Sequence, residues 1–121
     1  MKKIEAIIRN SKFEDVKIEL KKIGIDFFSY WEASGVGNEI MRGHHIYRGT
    51  VYDTQYIPRI LISIVLRDVN VQKTIECLEK AAYTGVVGDG MIFTYNVEES
   101  VRISNGARGD ASTAGPGDNK Q

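Results

Sequence analysis

Ile4-Glu5-Ala6-Ile7-Ile8-Arg9-Asn10-Ser11-Lys12-Phe13-Glu14 changes its hydrophobic period partway along, and that change decides the fold. Residues 4–9 are apolar enough for a buried strand, and Asn10-Ser11 breaks it. Ser11 followed by Glu14 has the form of a capping box, in which a hydroxyl and a carboxylate satisfy orphan amides and start a helix. Phe13, Val16, Leu20 and Ile23 then recur at helical spacing, and Gly24 is the expected stop.

Outward from this strand and helix, residues 27–34 are aromatic and alternating, which predicts a second strand. Residues 60–66, dense in Ile, Leu and Val, predict a third. Asn70 stands where a second helix needs a cap; its apolar side would be Val71, Ile75, Leu78 and Ala82, with an end near Gly85. Residues 91–97 complete the pattern as a fourth strand. Strand, helix, strand, repeated once, predicts an α+β domain of the ferredoxin-like split β-α-β type (βαββαβ), an antiparallel sheet with both helices on one face. The opposite face then needs a cover, with Phe28, Tyr30 and Tyr95 as its expected aromatic residues. Self-association into a closed ring such as a homotrimer is the expected solution.

The chain has 121 residues, enough for one core but not for a cleft between domains. Sixteen basic residues balance sixteen acidic ones, so no long-range field exists to hold nucleic acid or an anionic membrane, and any anion must be caught locally. The lone Cys77 cannot close an internal disulfide. With neither a secretory signal nor a membrane span in the sequence, the expected location is the cytoplasm. From Asn105 onward the composition turns to Gly, Ser, Asp, Asn and Pro, which reads as flexible chain, and residues 110–121 are expected to be a tail.

Two stretches carry chemistry. Thr84-Gly85-Val86-Val87-Gly88-Asp89-Gly90 opens a strand after a helix, and its glycines would let backbone amides approach an anion closely. Taken alone, such a loop more often only reverses the chain. Tyr47-Arg48-Gly49-Thr50-Val51-Tyr52 lies within a connection too long for a hairpin turn, and connections of that length are usually functional or disordered. Other residues have plainer explanations. His44 and His45 are adjacent, so on extended chain they point apart, which suits loop polarity better than a metal site. Cys77 falls within a helix pattern as a small packed side chain. Trp31 and Phe27-Phe28 could form a ligand shelf, but a strand and subunit core uses such residues more often. Asp89 reads equally as a base or as a turn-fixing carboxylate. No nucleophile, base and orienting group converge, so an enzyme is not expected.

In the order of these motifs the chain resembles the PII signal-transduction family of nitrogen regulatory proteins over residues 1–109. The opening Met1-Lys2-Lys3-Ile4-Glu5-Ala6-Ile7-Ile8 is similar to that family's first strand, Gly35-Val36-Gly37 to the start of its T-loop (about 36–57), residues 84–91 to its B-loop, and Val101-Arg102-Ile103 to the start of its C-loop (about 102–109). The resemblance implies a homotrimeric sensor whose inter-subunit clefts bind ATP, ADP or AMP, in some members with 2-oxoglutarate held through magnesium, and which has no prosthetic group. By position it implies that Ser29, Gly37 and Val65 lie around base and ribose and Gly88, Asp89, Gly90 and Arg102 around phosphates, with Ile7, Gly35, Asn38, Met91 and Ser104 also at nucleotide-binding positions. Glu39 and Arg59 match the magnesium and 2-oxoglutarate positions; Tyr47, Arg48 and Gly49 match the partner-binding tip, and Tyr52 a tyrosine uridylylated in some bacterial relatives. The implied partner is the cytoplasmic face of an ammonium transporter.

The chain departs from that pattern at charged positions. Met91 stands where a phosphate-binding lysine is usual, Ser104 where a second arginine is usual, and Ser63 where an acidic residue faces the ribose. Asn38-Glu39 replaces an arginine and glutamine, and Arg59 replaces a lysine. Charge-assisted hydrogen bonds are worth roughly 1.5 to 3 kcal/mol each, so one lost contact weakens a triphosphate by about 10- to 100-fold. A preference for ADP or AMP over ATP is therefore expected. The alternative reading is a divergent sensor of ADP or AMP together with another small anion such as bicarbonate.

Overall fold

The computed structural model describes residues 1–35, 46–47, 50–51 and 57–113. Strand β1 (Lys2–Arg9) runs through a 3-10 turn (Asn10–Lys12) into helix α1 (Phe13–Lys22); β2 (Ser29–Gly35) follows. Two short strands, β3 (Ile46–Tyr47) and β4 (Thr50–Val51), pair with each other. Then come β5 (Ile57–Leu66), a 3-10 turn (Asp68–Asn70), helix α2 (Val71–Ala82), β6 (Gly90–Asn96) and a single helical turn, α3 (Asp110–Thr113). The main sheet has the order β2-β5-β1-β6, and every neighbouring pair is antiparallel. This is the expected ferredoxin-like split β-α-β arrangement.

Alternation along the two central strands sorts the sheet into two faces. Ile4, Ala6 and Ile8 of β1 and Ile60, Ile62, Ile64 and Leu66 of β5 are buried against Phe13, Val16 and Leu20 of α1 and Val71, Leu78 and Ala82 of α2. These residues form one core, so both helices lie on one face. At the end of α1, Gly24 adopts φ 88°, its amide donates to the Lys21 carbonyl at 3.0 Å, and the Ile25 amide donates to the Leu20 carbonyl at 2.9 Å. That pair of bonds is a Schellman cap, and it delivers the fully buried Ile25 into the core.

Three local expectations need correction. The capping box at Ser11 does not form: Ser11 sits inside the 3-10 turn, and the residue before α1 is Lys12, with no side-chain cap bond. The 3-10 turn supplies backbone carbonyls to the helix start, as the Phe13 amide donating to Asn10 shows, so no hydroxyl is needed. Asn70 does precede α2 but likewise makes no side-chain cap bond; it is buried, and its carbonyl accepts the Thr74 hydroxyl at 2.7 Å. Tyr30 and Phe28 do not cover the open face. Tyr30 is the register partner of buried Ile62 and packs on Phe13 with ring centroids 4.6 Å apart, while Phe28 meets Phe13 edge-on at 6.5 Å. Adjacent residues of a strand face opposite sides of the sheet, so with Tyr30 on the helix side Trp31 takes the open one.

The open face carries Trp31, Leu61, Ile7 and Met91 in one row across all four strands. Phe93 and Tyr95 extend it along β6, and the Tyr95 hydroxyl donates to Glu5 at 3.1 Å. Trp31, Met91, Phe93 and Tyr95 are all exposed in the single chain. Residues 110–113 form the turn of α3, with Ser112 buried, where composition alone suggested flexible chain. Among the described residues no helix is long and apolar enough to cross a membrane.

Candidate functional site

The loop of residues 84–90 is built around one carboxylate. Asp89 accepts the Thr84 amide at 2.8 Å, the Gly85 amide at 3.1 Å and the Thr84 hydroxyl, and its Oδ1 accepts Arg9 Nε at 2.9 Å. The Val86 amide in turn donates to the Thr84 hydroxyl at 3.1 Å. Burial raises the Asp89 pKa, but the donors from Thr84, Arg9 and Gly85 outweigh it and hold the carboxyl well below the usual carboxylate range. Of the two roles open to Asp89 in the sequence, turn fixing is the one its geometry displays. Amides of Thr84, Gly85 and Val86 are engaged inside the loop, so the stretch that could offer amides to an anion is its second half, from Val87 onward.

Two arginines fasten the other side of this loop. Arg9 and Arg59 are cross-strand partners at the end of β1 and β5. Like charges in such a pair repel unless each has its own acceptors. Arg9 Nη2 donates to the Val87 carbonyl at 3.0 Å and the Val86 carbonyl at 3.4 Å, and Arg59 Nη2 donates to the Gly88 carbonyl at 3.2 Å. Arg59 also reaches the Pro58 carbonyl at 3.2 Å and lines a hollow of about 390 Å³ with Asn10, Glu32, Ala33 and Ser34. Gly90 closes the loop at φ 117°, and a Cβ there would lie 1.8 Å from the Ile7 carbonyl oxygen. Only glycine lets β6 approach β1 at this point.

Seven of the expected site residues fall into two groups. Ser29, Val65 and Arg102 come together in a cleft of about 320 Å³, with Phe27, Ser63, Ser112 and Thr113 also in its wall. Ile7, Asp89, Gly90 and Met91 line a different one of about 340 Å³, between β6 and α2. The two clefts have no residue in common. Ser29 and Met91 lie on opposite edge strands of the sheet, three interstrand spacings apart, or about 14 Å before any offset along the strands. Gly88 belongs to the same loop as Asp89, whereas Gly35 ends β2 opposite Ile57. Ser104 is exposed in the turn after Arg102 and lies in neither cleft. Tyr47 is in β3; Gly37, Asn38, Glu39, Arg48, Gly49 and Tyr52 lie outside the described residues.

Sequence reasoning passed over Arg9, Ser112 and Thr113. Register would have exposed the first, since Arg9 shares a row with Arg59 once β1 and β5 are paired. The hydroxyl pair had no such signal, because a Gly- and Asp-rich stretch gives no periodicity. Among the described residues no group of His, Cys, Asp or Glu side chains could hold a metal ion. Cys77 is half-buried against the core, and burial pushes its thiol pKa up, as for a packing residue.

Comparison with known proteins gives these features a family. The family model described as nitrogen regulatory protein P-II matches residues 1–107. A nitrogen regulatory protein P-II of Rhodospirillum rubrum is 44% identical over 110 residues, covering 90% of this chain and 96% of the relative. Proteins of the same name from Rhizobium meliloti and Azospirillum brasilense are 43% and 44% identical, with the same coverage. A match that spans all four strands of the main sheet, both long helices and the loop built on Asp89 leads to one conclusion: the chain belongs to the nitrogen regulatory protein P-II family and is a regulatory signalling protein.

Proposed function

We propose that this protein is a trimeric, adenylate-responsive regulator in which each ligand sits between two copies of the chain. The carrying observation is the separation of the site residues into two clefts at opposite edges of one sheet. Within one chain the two groups are held apart, with the two central strands of the sheet between them. A ring of copies brings the Ser29, Val65 and Arg102 edge of one against the residue 84–91 loop of the next, and it also covers the apolar row of Trp31, Leu61, Ile7 and Met91. The phosphates then meet the amides in the second half of the loop and the guanidinium of Arg102, while base and ribose occupy the cleft beside Ser29, Ser63 and Val65.

ADP or AMP is the preferred ligand in this reading. Arg9 and Arg59 are already committed to loop carbonyls, and the loop ends in Met91. A third phosphate gains no further cation from these groups. Calorimetric titration with ATP, ADP and AMP, each with and without magnesium and 2-oxoglutarate, tests this; tighter binding of ATP than of both others refutes it. If 2-oxoglutarate is sensed, Glu39 would supply oxygen to magnesium, and Arg59 would have to exchange the Gly88 carbonyl for a carboxylate.

Output passes through residues 36–57 to a partner, for which an ammonium transporter on the cytoplasmic side is the leading choice. Arg48 is the residue to test, because a guanidinium on a long stem donates to several carbonyls at a pore mouth. Arg48→Ala should abolish transporter inhibition and leave trimers and adenylate affinity intact; unchanged inhibition removes the role. Met91, Ser104 and Ser63 favour a second reading, in which ADP or AMP is read together with another small anion such as bicarbonate to control a different transporter.

A further inference from the structure

Past residue 107, where the family match ends, the chain folds back on itself and enters the cleft. The Gly106 amide donates to the Arg102 carbonyl at 2.8 Å, the Arg102 amide donates to Ala107 at 2.8 Å, and the Gly109 amide donates to Ser100 at 3.0 Å. This hairpin sets α3 against β5. Buried Ser112 fixes it there: its hydroxyl donates to the Gly109 carbonyl at 2.6 Å and lies 2.6 Å from the Ser100 hydroxyl. Since the single proton of Ser112 goes to Gly109, Ser100 is the donor between the two hydroxyls. The result brings Ser112 and Thr113 into one wall with Arg102, Ser29 and Ser63. Ser112 is spent on that clasp and the Thr113 hydroxyl donates to the Asp110 carbonyl at 3.0 Å, keeping its oxygen as an acceptor, so the lining sets one cation beside the hydroxyls of Ser29, Ser63 and Thr113 with no carboxylate, a chemistry suited to a sugar phosphate.

We propose that α3 is an affinity-setting wall of the adenylate cleft, with Thr113 beside the ligand and Ser112, clasped to Ser100, as the positioning residue that holds the wall in place. The inference rests on the adenylate reading above. It predicts that this segment, and not only the loop of residues 84–90, determines how long a nucleoside phosphate stays bound.

ADP titrations of the full chain, of a chain ended after Gly109, and of the variants Ser112→Ala, Ser100→Ala and Thr113→Glu make the test, each paired with a melting curve. Ending the chain should weaken ADP about tenfold or more, and Ser112→Ala about three- to tenfold through faster dissociation, the scale of one or two lost hydrogen bonds. Ser100→Ala should match Ser112→Ala, and the double variant should be no worse than either single one, because the two hydroxyls act as one clasp. Ser112→Thr, which keeps the hydroxyl, should recover most of the affinity. Thr113→Glu should weaken ADP through charge repulsion while melting like the parent. A shortened chain that binds ADP as tightly as the full chain overturns the inference and leaves the adenylate reading standing; if the shortened chain fails to fold, unchanged ADP affinity in Thr113→Glu overturns it equally. A full chain that binds neither ADP, AMP nor ATP overturns both.

Discussion

Asp89 organises its loop from a side chain that is only three-quarters covered, and its ionisation makes that organisation pH-dependent. Its folded pKa lies below the unfolded value of about 3.9, so the stabilisation is complete above that pH and is lost as pH falls through about 4 and below. Thermal melting of the parent should therefore drop on acidification below about pH 4, and Asp89→Asn should flatten the drop while costing about 1–3 kcal/mol at neutral pH, the range for an uncompensated polar partner. Identical acid profiles for the two proteins would contradict this. Gly90 offers a second residue-scale test. A Cβ 1.8 Å from the Ile7 carbonyl, on a backbone at φ 117°, cannot be accommodated by a side-chain movement. Gly90→Ala should lower stability by on the order of 2–4 kcal/mol in denaturant unfolding, whereas Gly106→Ala, with φ 71° and open space around it, should cost about 1 kcal/mol.

Among the elements, β5 bears the most packing, since it is paired on both sides and buries Ile60, Ile62, Ile64 and Leu66. Ile62→Ala, at a fully buried position, should cost about 2–5 kcal/mol in urea unfolding, and a loss under 1 kcal/mol would mean that the core is not closed as described. All four main strands and both long helices were legible in the sequence: β1, β5 and the two helices bury one face, which leaves a period of two or of 3.6 in the residues, while the edge strands β2 and β6, which bury no residue fully, showed through their aromatic and β-branched composition. What periodicity does not encode was read less well. The start of α1 depends on a 3-10 turn and not on the Ser11 hydroxyl, and the side of β2 that Tyr30 occupies depends on its register with β5. The site was legible in the same uneven way. Gly88, Asp89 and Gly90 announced a loop, but the arginines that hold it, and the clasp between Ser100 and Ser112, join positions far apart in the chain.

At the scale of the whole molecule, the single chain has a finished core on one face of its sheet and an apolar row, partly exposed, on the other, with a cleft near each edge. In the proposed assembly one event, the closing of a ring of copies, covers the row and joins the two clefts. Assembly and ligand binding are then coupled: Trp31→Glu, which places a charge in the apolar row, should dissociate the assembly and abolish adenylate binding together, as read by sedimentation and calorimetry. Loss of assembly with adenylate affinity retained would separate the two. Native mass spectrometry of the purified full chain with ADP is the decisive test, because it counts chains and ligands in one particle. The prediction is three chains carrying up to three ADP molecules, with no ADP on any single chain; single chains, or a trimer that stays empty at saturating ADP, would contradict it.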